Sequence, residues 1–260
     1  HGAREQRQRR TATEFDRSGE NVNQSVYDIE RRGMEVADKI ITVSNYTRNI
    51  VITRYGIPED KVITVHNGVD FSNHQDDIDS ERGVDEQVVT FLGRVTFQKG
   101  PDYFVEAANK VIKKHPNVRF VMAGSGDMLN RMIRRVAKLG IAHKFHFTGF
   151  LKGQDVHQMF ALSDVYVMPS VSEPFGISPL EAMRSNVPVI ISKQSGVSEV
   201  LKYAIKVDFW DVDALADSIY GLLNYKALAN FFIEHGQDEV NNLKWDNAAK
   251  QVIDVYNSVL

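Results

Sequence analysis

The sequence predicts an α/β fold, a parallel sheet with helices on both faces, preceded by the end of a first α/β unit. Two observations predict it. Apolar runs such as Val165-Tyr166-Val167-Met168 look like buried parallel strands, and from Val88 onward such runs alternate regularly with segments of helical periodicity. Loops bearing glycine follow several of these strands, at the carboxyl edge where open parallel sheets bind their ligands.

Each element follows from local pattern. The apolar positions Val26, Ile29, Met34 and Ala37 predict a helix, and Lys39 to Val43 reads as a strand. Ser44 is placed to cap a helix from Asn45 to Tyr55, which Gly56 ends. Lys61 to Val65 is a second strand, closing on the turn Asn67-Gly68. After a polar interval, strands are expected at Val88–Leu92, Val118–Ala123, Lys144–Phe147, Asp164–Met168 and Val187–Ile191. The expected helices cover Pro101–His115, about Asp127 to Leu139, Gln154–Leu162 and Pro179–Arg184, with a short one after Gly196. Ser178 fits an N-cap, Pro179 the first helical position and Glu181 the acid of a capping box. Asp211 to Leu260 is mostly helical in pattern, with Trp245 in the connection before a last amphipathic helix.

Composition narrows the function classes. The chain has 260 residues, a formal net charge of -3 and 25% charged residues, which gives no bulk signal for nucleic acid. It has no cysteine, hence no disulfide framework, thiolate metal site or cysteine nucleophile. No apolar run approaches the length of a membrane span and no signal peptide is visible at the start, so a cytoplasmic protein is expected, with peripheral membrane association left open. The first residues, rich in Arg4, Arg7, Arg9 and Arg10, read as a solvated tail, and a start at His1 implies a truncated or tagged chain. The acids Asp76, Asp77, Asp79 and Glu81 lack the glycine and the later bidentate acid of a calcium loop. No histidine pair has zinc spacing, and His66 and His146 read as structural rather than catalytic.

Three loops carry the candidate chemistry. Gly93-Arg94-Val95-Thr96-Phe97-Gln98-Lys99-Gly100 places a guanidinium fork and an ammonium at a strand end, which suits a diphosphate; a solvated turn is the plainer alternative. Gly124-Ser125-Gly126 lacks the third glycine of a dinucleotide fingerprint and so reads first as a tight turn. The third is Ser172-Glu173-Pro174-Phe175-Gly176-Ile177-Ser178-Pro179-Leu180-Glu181, whose amides around Phe175, Gly176 and Ile177 open a helix and attract an anion. Its two glutamates, Glu173 and Glu181, are eight residues apart and able to reach one crevice, although a loop charge and a capping acid would produce the same spacing.

Together these residues resemble the donor-binding half of a GT-B glycosyltransferase of the retaining group 1 type, often called family 4 and similar to glycogen synthase. Asn67-Gly68-Val69-Asp70, Gly93-Arg94 with Lys99-Gly100, Gly124-Ser125-Gly126, and Glu173-Pro174-Phe175-Gly176 with Glu181 stand in that family's order. The resemblance implies a Rossmann-like donor domain and a sugar transferase that retains anomeric configuration without a metal or other cofactor. By it, Arg94 and Lys99 neutralise the diphosphate of a UDP-, ADP- or GDP-linked sugar, aided by the amides of Gly176 and Ile177. Glu173 meets the donor sugar, Glu181 the ribose hydroxyls, and the backbone at Gly149-Phe150-Leu151 the base. Ser195-Gly196-Val197 lines the same crevice in a looser match.

The resemblance also implies boundaries: residues 1–24 a polar tail, 25–70 the end of the acceptor domain, 71–87 a linker, 88–243 the donor domain and 244–260 a helix crossing back. A complete acceptor domain, which would take a carbohydrate or lipid-linked acceptor, is not recognisable, so the chain is expected to bind a donor better than it transfers one. A non-catalytic nucleotide-sugar binding module is the rival reading, and an NAD-dependent oxidoreductase using the Gly124 loop a weaker one.

Overall fold

The computed structural model describes residues 24–69 and 85–260. The arginine-rich start, Asp70 and most of the polar interval 71–87 lie outside the described residues.

The first unit runs α1 (Gln24–Val36), β1 (Ile40–Thr42), α2 (Asn45–Tyr55) and β2 (Val62–Thr64). Its two strands pair in parallel, Ile40 opposite Val62 and Thr42 opposite Thr64. The helix α2 has the predicted ends: Ser44 and Thr47 form a reciprocal capping box, and Gly56 closes the helix in the left-handed region at φ 69°. None of the residues of α1 is buried.

The second unit continues with β3 (Gln87–Leu92), α3 (Pro101–Lys114), β4 (Val118–Ala123), α4 (Leu129–Lys138), β5 (Phe145–Gly149), α5 (Gln154–Ala161), β6 (Val165–Met168), α6 (Ser178–Arg184), β7 (Val189–Ser192), β8 (Ile205–Val207), α7 (Val212–Asn224), α8 (Lys226–Asn241) and α9 (Trp245–Asn257). The six strands form one parallel sheet in the order β5-β4-β3-β6-β7-β8. Side chains alternate between its faces. Phe91, Val165, Val167 and Ile190 point into a core with Phe104 of α3, Met132 of α4 and Ile219 of α7. Tyr166, Met168, Val189 and Ile191 point to the other side, against Phe160 of α5, Leu180 of α6 and Val240 of α8. Helices therefore cover both faces, as the uninterrupted apolar strands require.

Several boundaries differ from expectation. The strand expected from Val187 starts at Val189, beyond Pro188, which has no amide hydrogen to give to a ladder. The short strand β8 was not anticipated, because three residues, Ile-Lys-Val, carry too little periodicity. Trp245 is the first residue of α9, not part of its connection, with Lys244 at the cap. The reason lies in packing: Gly68 sits so close to this junction that a Cβ on it would fall 2.4 Å from the Trp245 nitrogen. The Val69 amide donates to the Leu243 carbonyl at 2.8 Å, which ties the exit of the first unit to the junction of α8 and α9. Beyond that junction α9 is lightly held, with only Ala248 buried among its residues.

At the centre of the first core, the fully buried Phe104 ring meets Phe91, Phe120 and Phe145 at centroid distances of 5.6, 5.6 and 6.2 Å. Phe104→Ala is expected to lower the unfolding free energy by about 3–5 kcal/mol, read as a lower urea midpoint at unchanged slope.

Candidate functional site

The strand order reverses direction between β3 and β6, and it is outside the carboxyl ends of the strands at such a switch point that open parallel sheets bind their ligands. The loop after β3 carries Gly93 to Gly100, and the loop after β6 carries Ser172 to Gly176, so the topology brings together two of the three candidate loops. The third, Gly124-Ser125-Gly126, is locked onto the first. The Val95 amide donates to the Ser125 carbonyl at 2.9 Å and the Met128 amide to the Val95 carbonyl at 3.0 Å. A Cβ on Gly124 would stand 1.8 Å from the Gly93 carbonyl oxygen, and one on Gly126 would stand 2.4 Å from that of Val95. Both glycines are thus required by backbone packing alone.

Lys99 and Glu173 meet across the switch point. The ammonium donates to Glu173 Oε2 in a mostly buried ion pair, and Glu173 is only 8% exposed. The Lys99 stem runs along Gly93, where even a Cβ would make only an ordinary contact at 3.7 Å; it is the backbone at φ 154° that favours glycine. Arg94, in the same loop, is exposed. The loop thus holds one cation pressed against the carboxylate and another turned to solvent.

Beside this pair stands Tyr166 of β6, fully buried, whose hydroxyl donates to the Leu92 carbonyl at 3.3 Å. Burial pushes that hydroxyl's pKa up, and a hydrogen bond from Ser178 opposes the shift. The predicted capping box at α6 is accordingly absent. Ile177 occupies the cap position without a side-chain hydrogen bond, and Ser178 is the first helical residue, its hydroxyl turned to the buried tyrosine. The Ser178 hydroxyl is engaged with the Tyr166 phenol instead, as a second partner beside the Leu92 carbonyl. Glu181, released from capping, lies in the same neighbourhood. Burial lifts its carboxyl above the ordinary glutamate range, and the nearby His157 of α5 pulls the other way.

The remaining candidates surround these groups. Phe175 is buried and faces His66 with ring centroids 6.1 Å apart, and Ile177 is partly exposed. Gly176 turns at φ 98° over Met168 and Glu173. Phe150 is 74% exposed and Leu151 packs partly into the second core. The Gly149 carbonyl accepts from the Gly124 amide at 2.7 Å, which joins this loop to the others. Among the described residues, no three His, Asp or Glu side chains converge as metal ligands would.

Residues that single-site reasoning passed over also converge here. Glu199 accepts hydrogen bonds from the amides of Asn45 and Tyr46 at 2.8 and 2.7 Å and lies 3.0 Å from His66 Nε2. Ser44 and Tyr46 reach the Glu173 loop. The loop Ser195-Gly196-Val197 pointed to this region, but the glutamate two positions later had no visible partner in the sequence.

Comparison with known proteins identifies the family and the fold. The family model described as glycosyl transferases group 1 matches residues 73–239, and that described as glycosyltransferase family 4 matches residues 14–73. The chain belongs to the group 1 glycosyltransferase family. An uncharacterized glycosyltransferase of Methanocaldococcus jannaschii is 31% identical over 94% of this chain and 67% of its own length. Spore coat protein SA of Bacillus subtilis is 30% identical over 84% of this chain and 64% of its own. The chain thus spans about two thirds of the length of these relatives. The fold is that of Anabaena HepE, solved in complex with UDP and glucose, with a TM-score of 0.82 at 20% identity over 92% of this chain and 69% of that one.

Two outcomes test the site's electrostatics. Lys99→Met strands the Glu173 carboxylate and is expected to cost about 1–3 kcal/mol, part of which Glu173→Gln in the same chain restores in a double-mutant cycle of urea midpoints. At Glu181 the folded protein holds its proton more tightly than the unfolded chain, so the associated stability is full below about pH 4.3 and is lost as pH rises through the raised value. Glu181→Gln is therefore expected to raise the melting temperature at pH 7 and to change it little near pH 4, measured by scanning calorimetry across that range.

Proposed function

We propose that this chain binds a nucleotide-diphosphate sugar at the crevice between β3 and β6, and that it is the donor-binding part of an enzyme passing the sugar to a carbohydrate or lipid-linked acceptor. The observation that carries this reading is the Lys99–Glu173 ion pair at the switch point of a group 1 glycosyltransferase fold, with Arg94 exposed in the same loop as Lys99. A nucleoside diphosphate leaving group accumulates negative charge as its bond to the anomeric carbon breaks. Arg94, exposed beside the crevice, and Lys99 are the cations available to meet that charge, with the amides near Gly176 and Ile177 at the start of α6. This assignment needs neither a metal nor any cofactor beyond the donor itself. Glu173 faces the sugar and steadies the positive charge at the anomeric carbon, on a course that retains configuration. Glu181, in the first turn of α6, accepts hydrogen bonds from ribose hydroxyls and, where burial keeps it protonated, can also donate one. Gly149, Phe150 and Leu151 border the base.

The domain division has similar support. Residues 25–70 act as the end of the acceptor domain, 71–87 as a linker, 88–243 as the donor domain and 244–260 as a helix returning to the first unit. The close contact of Gly68 with Trp245 and the sparse burial of α1 and α9 are what such a division leads one to expect. Among the described residues, no helix is long and apolar enough to cross a membrane.

A thermal-shift titration with UDP, ADP, GDP and NAD tests the donor site. One nucleoside diphosphate is expected to stabilise the chain, by about 2.7 kcal/mol at a hundredfold excess over its Kd, and Arg94→Ala is expected to remove the shift. Stabilisation by NAD alone, or by none of the four, overturns the reading.

A further inference from the structure

The loop bearing Glu173 is held from two sides, and one side belongs to the preceding unit. On the sheet side, the Glu173 amide donates to the Gln194 carbonyl at 3.1 Å. The Gly196 amide donates to the Glu173 carbonyl at 3.0 Å and the Val197 amide to the Phe175 carbonyl at 2.8 Å. On the opposite side stands the N-terminus of α2. The Ser44 hydroxyl donates to the Pro174 carbonyl at 2.5 Å, and the Tyr46 hydroxyl lies 2.9 Å from that of Ser172. These contacts grip the residues immediately before and after Glu173.

The grip is itself anchored. The first amides of a helix lack intrahelical partners and carry the positive end of its dipole, so a carboxylate there holds the helix in place. Glu199 supplies that carboxylate to the Asn45 and Tyr46 amides, with His66 against it. Glu199 ends the turn Gly196–Glu199, whose first amides pair with the Glu173 segment. The circuit closes on Gly196. A Cβ there would fall 2.2 Å from the Pro174 carbonyl and 2.5 Å from Ser44 Cβ, so the three segments pack backbone to backbone.

The geometry points to Tyr46 and Ser44 as positioning residues for Glu173: held by Glu199, they fix from the preceding unit where that carboxylate meets the donor sugar. The inference rests on the donor-site reading above. It makes recognition of the sugar depend on the contact between the two units, whereas recognition of the diphosphate depends on the loop after β3. That loop has its own anchors, the Val95–Ser125 and Met128–Val95 bonds. Removing a Tyr46 or Ser44 hydroxyl should therefore loosen the hold on the sugar and leave the hold on the diphosphate in place.

The test is calorimetric titration of the chain with three pairs of probes: UDP with UDP-glucose, ADP with ADP-glucose, and GDP with GDP-mannose. For the pair that binds, the quantity read is the ratio of the diphosphate Kd to the sugar-nucleotide Kd. Tyr46→Phe and Ser44→Ala are each expected to lower that ratio by about threefold to tenfold, the worth of one hydrogen bond. The diphosphate Kd should stay within about twofold, and Tyr46→Phe keeps the ring while removing only the hydroxyl. Glu199→Gln, which weakens the anchor without touching the loop, is expected to lower the ratio in the same direction. A ratio unmoved in all three variants, a parallel loss of both affinities, or a wild-type ratio of one overturns the inference while the donor site stands. Failure of the wild type to bind any diphosphate removes both.

Discussion

Backbone contact between loops at the carboxyl edge of the sheet is the constraint on which the rest of the site depends. The Gly93 carbonyl occupies the space that any side chain on residue 124 would need, and the Pro174 carbonyl and Ser44 occupy that of residue 196. Where backbones approach this closely, their polar groups satisfy one another. The loops after β3, β4 and β5 are tied in sequence through Val95, Ser125, Gly124 and Gly149. Loops that would otherwise be the most mobile parts of an α/β domain become a continuous floor. On that floor, Lys99 has one place to lie, along Gly93 and against Glu173.

The two glutamates of the central stretch are placed in different environments by the same short helix. Glu173 precedes α6 and is held by an ammonium and by a bridge to the backbone at Ser195. Glu181 lies in its first turn, where burial favours its protonated form. Glu173 is paired with an ammonium, whereas the charged form of Glu181 is disfavoured by desolvation. The Ser178 hydroxyl bonds the buried Tyr166 phenol, and α6 has no side-chain cap.

The first unit, of which two strands and two α-helices are described, does more than precede the sheet. Its helix α2 is the only described element that brings side chains from outside the second unit onto both neighbours of Glu173. Its attachment there is made by a capped helix end, a glutamate bridge and a histidine, beside Val43 and Val69, which join the second core. Such contacts are directional, and they suit a junction that must set an angle between units more than it must bind them tightly.

By itself, the sequence determined the alternation of strands and helices, their order and the loops that carry the chemistry. These follow from short-range rules. Buried parallel strands are apolar throughout, and amphipathic helices repeat at 3.6 residues. Caps such as Ser44 with Gly56 are read within a dozen residues. It also singled out Lys99, Arg94, Glu173 and Glu181 as candidates, because their residue types sit at strand ends in a pattern that resembles the family. Only the tertiary structure decided which groups meet. The strand order puts Lys99 beside Glu173 across 74 positions of chain, and folding back of the first unit puts Tyr46 beside Ser172 across 126. The same cause lies behind the local misreadings. Ser178 has capping chemistry but bonds a tyrosine twelve positions earlier, and Trp245 begins a helix where Gly68 packs on its backbone. Local pattern fixes what a segment prefers; burial and hydrogen-bond satisfaction, which depend on neighbours distant in the chain, decide what each polar side chain finally binds.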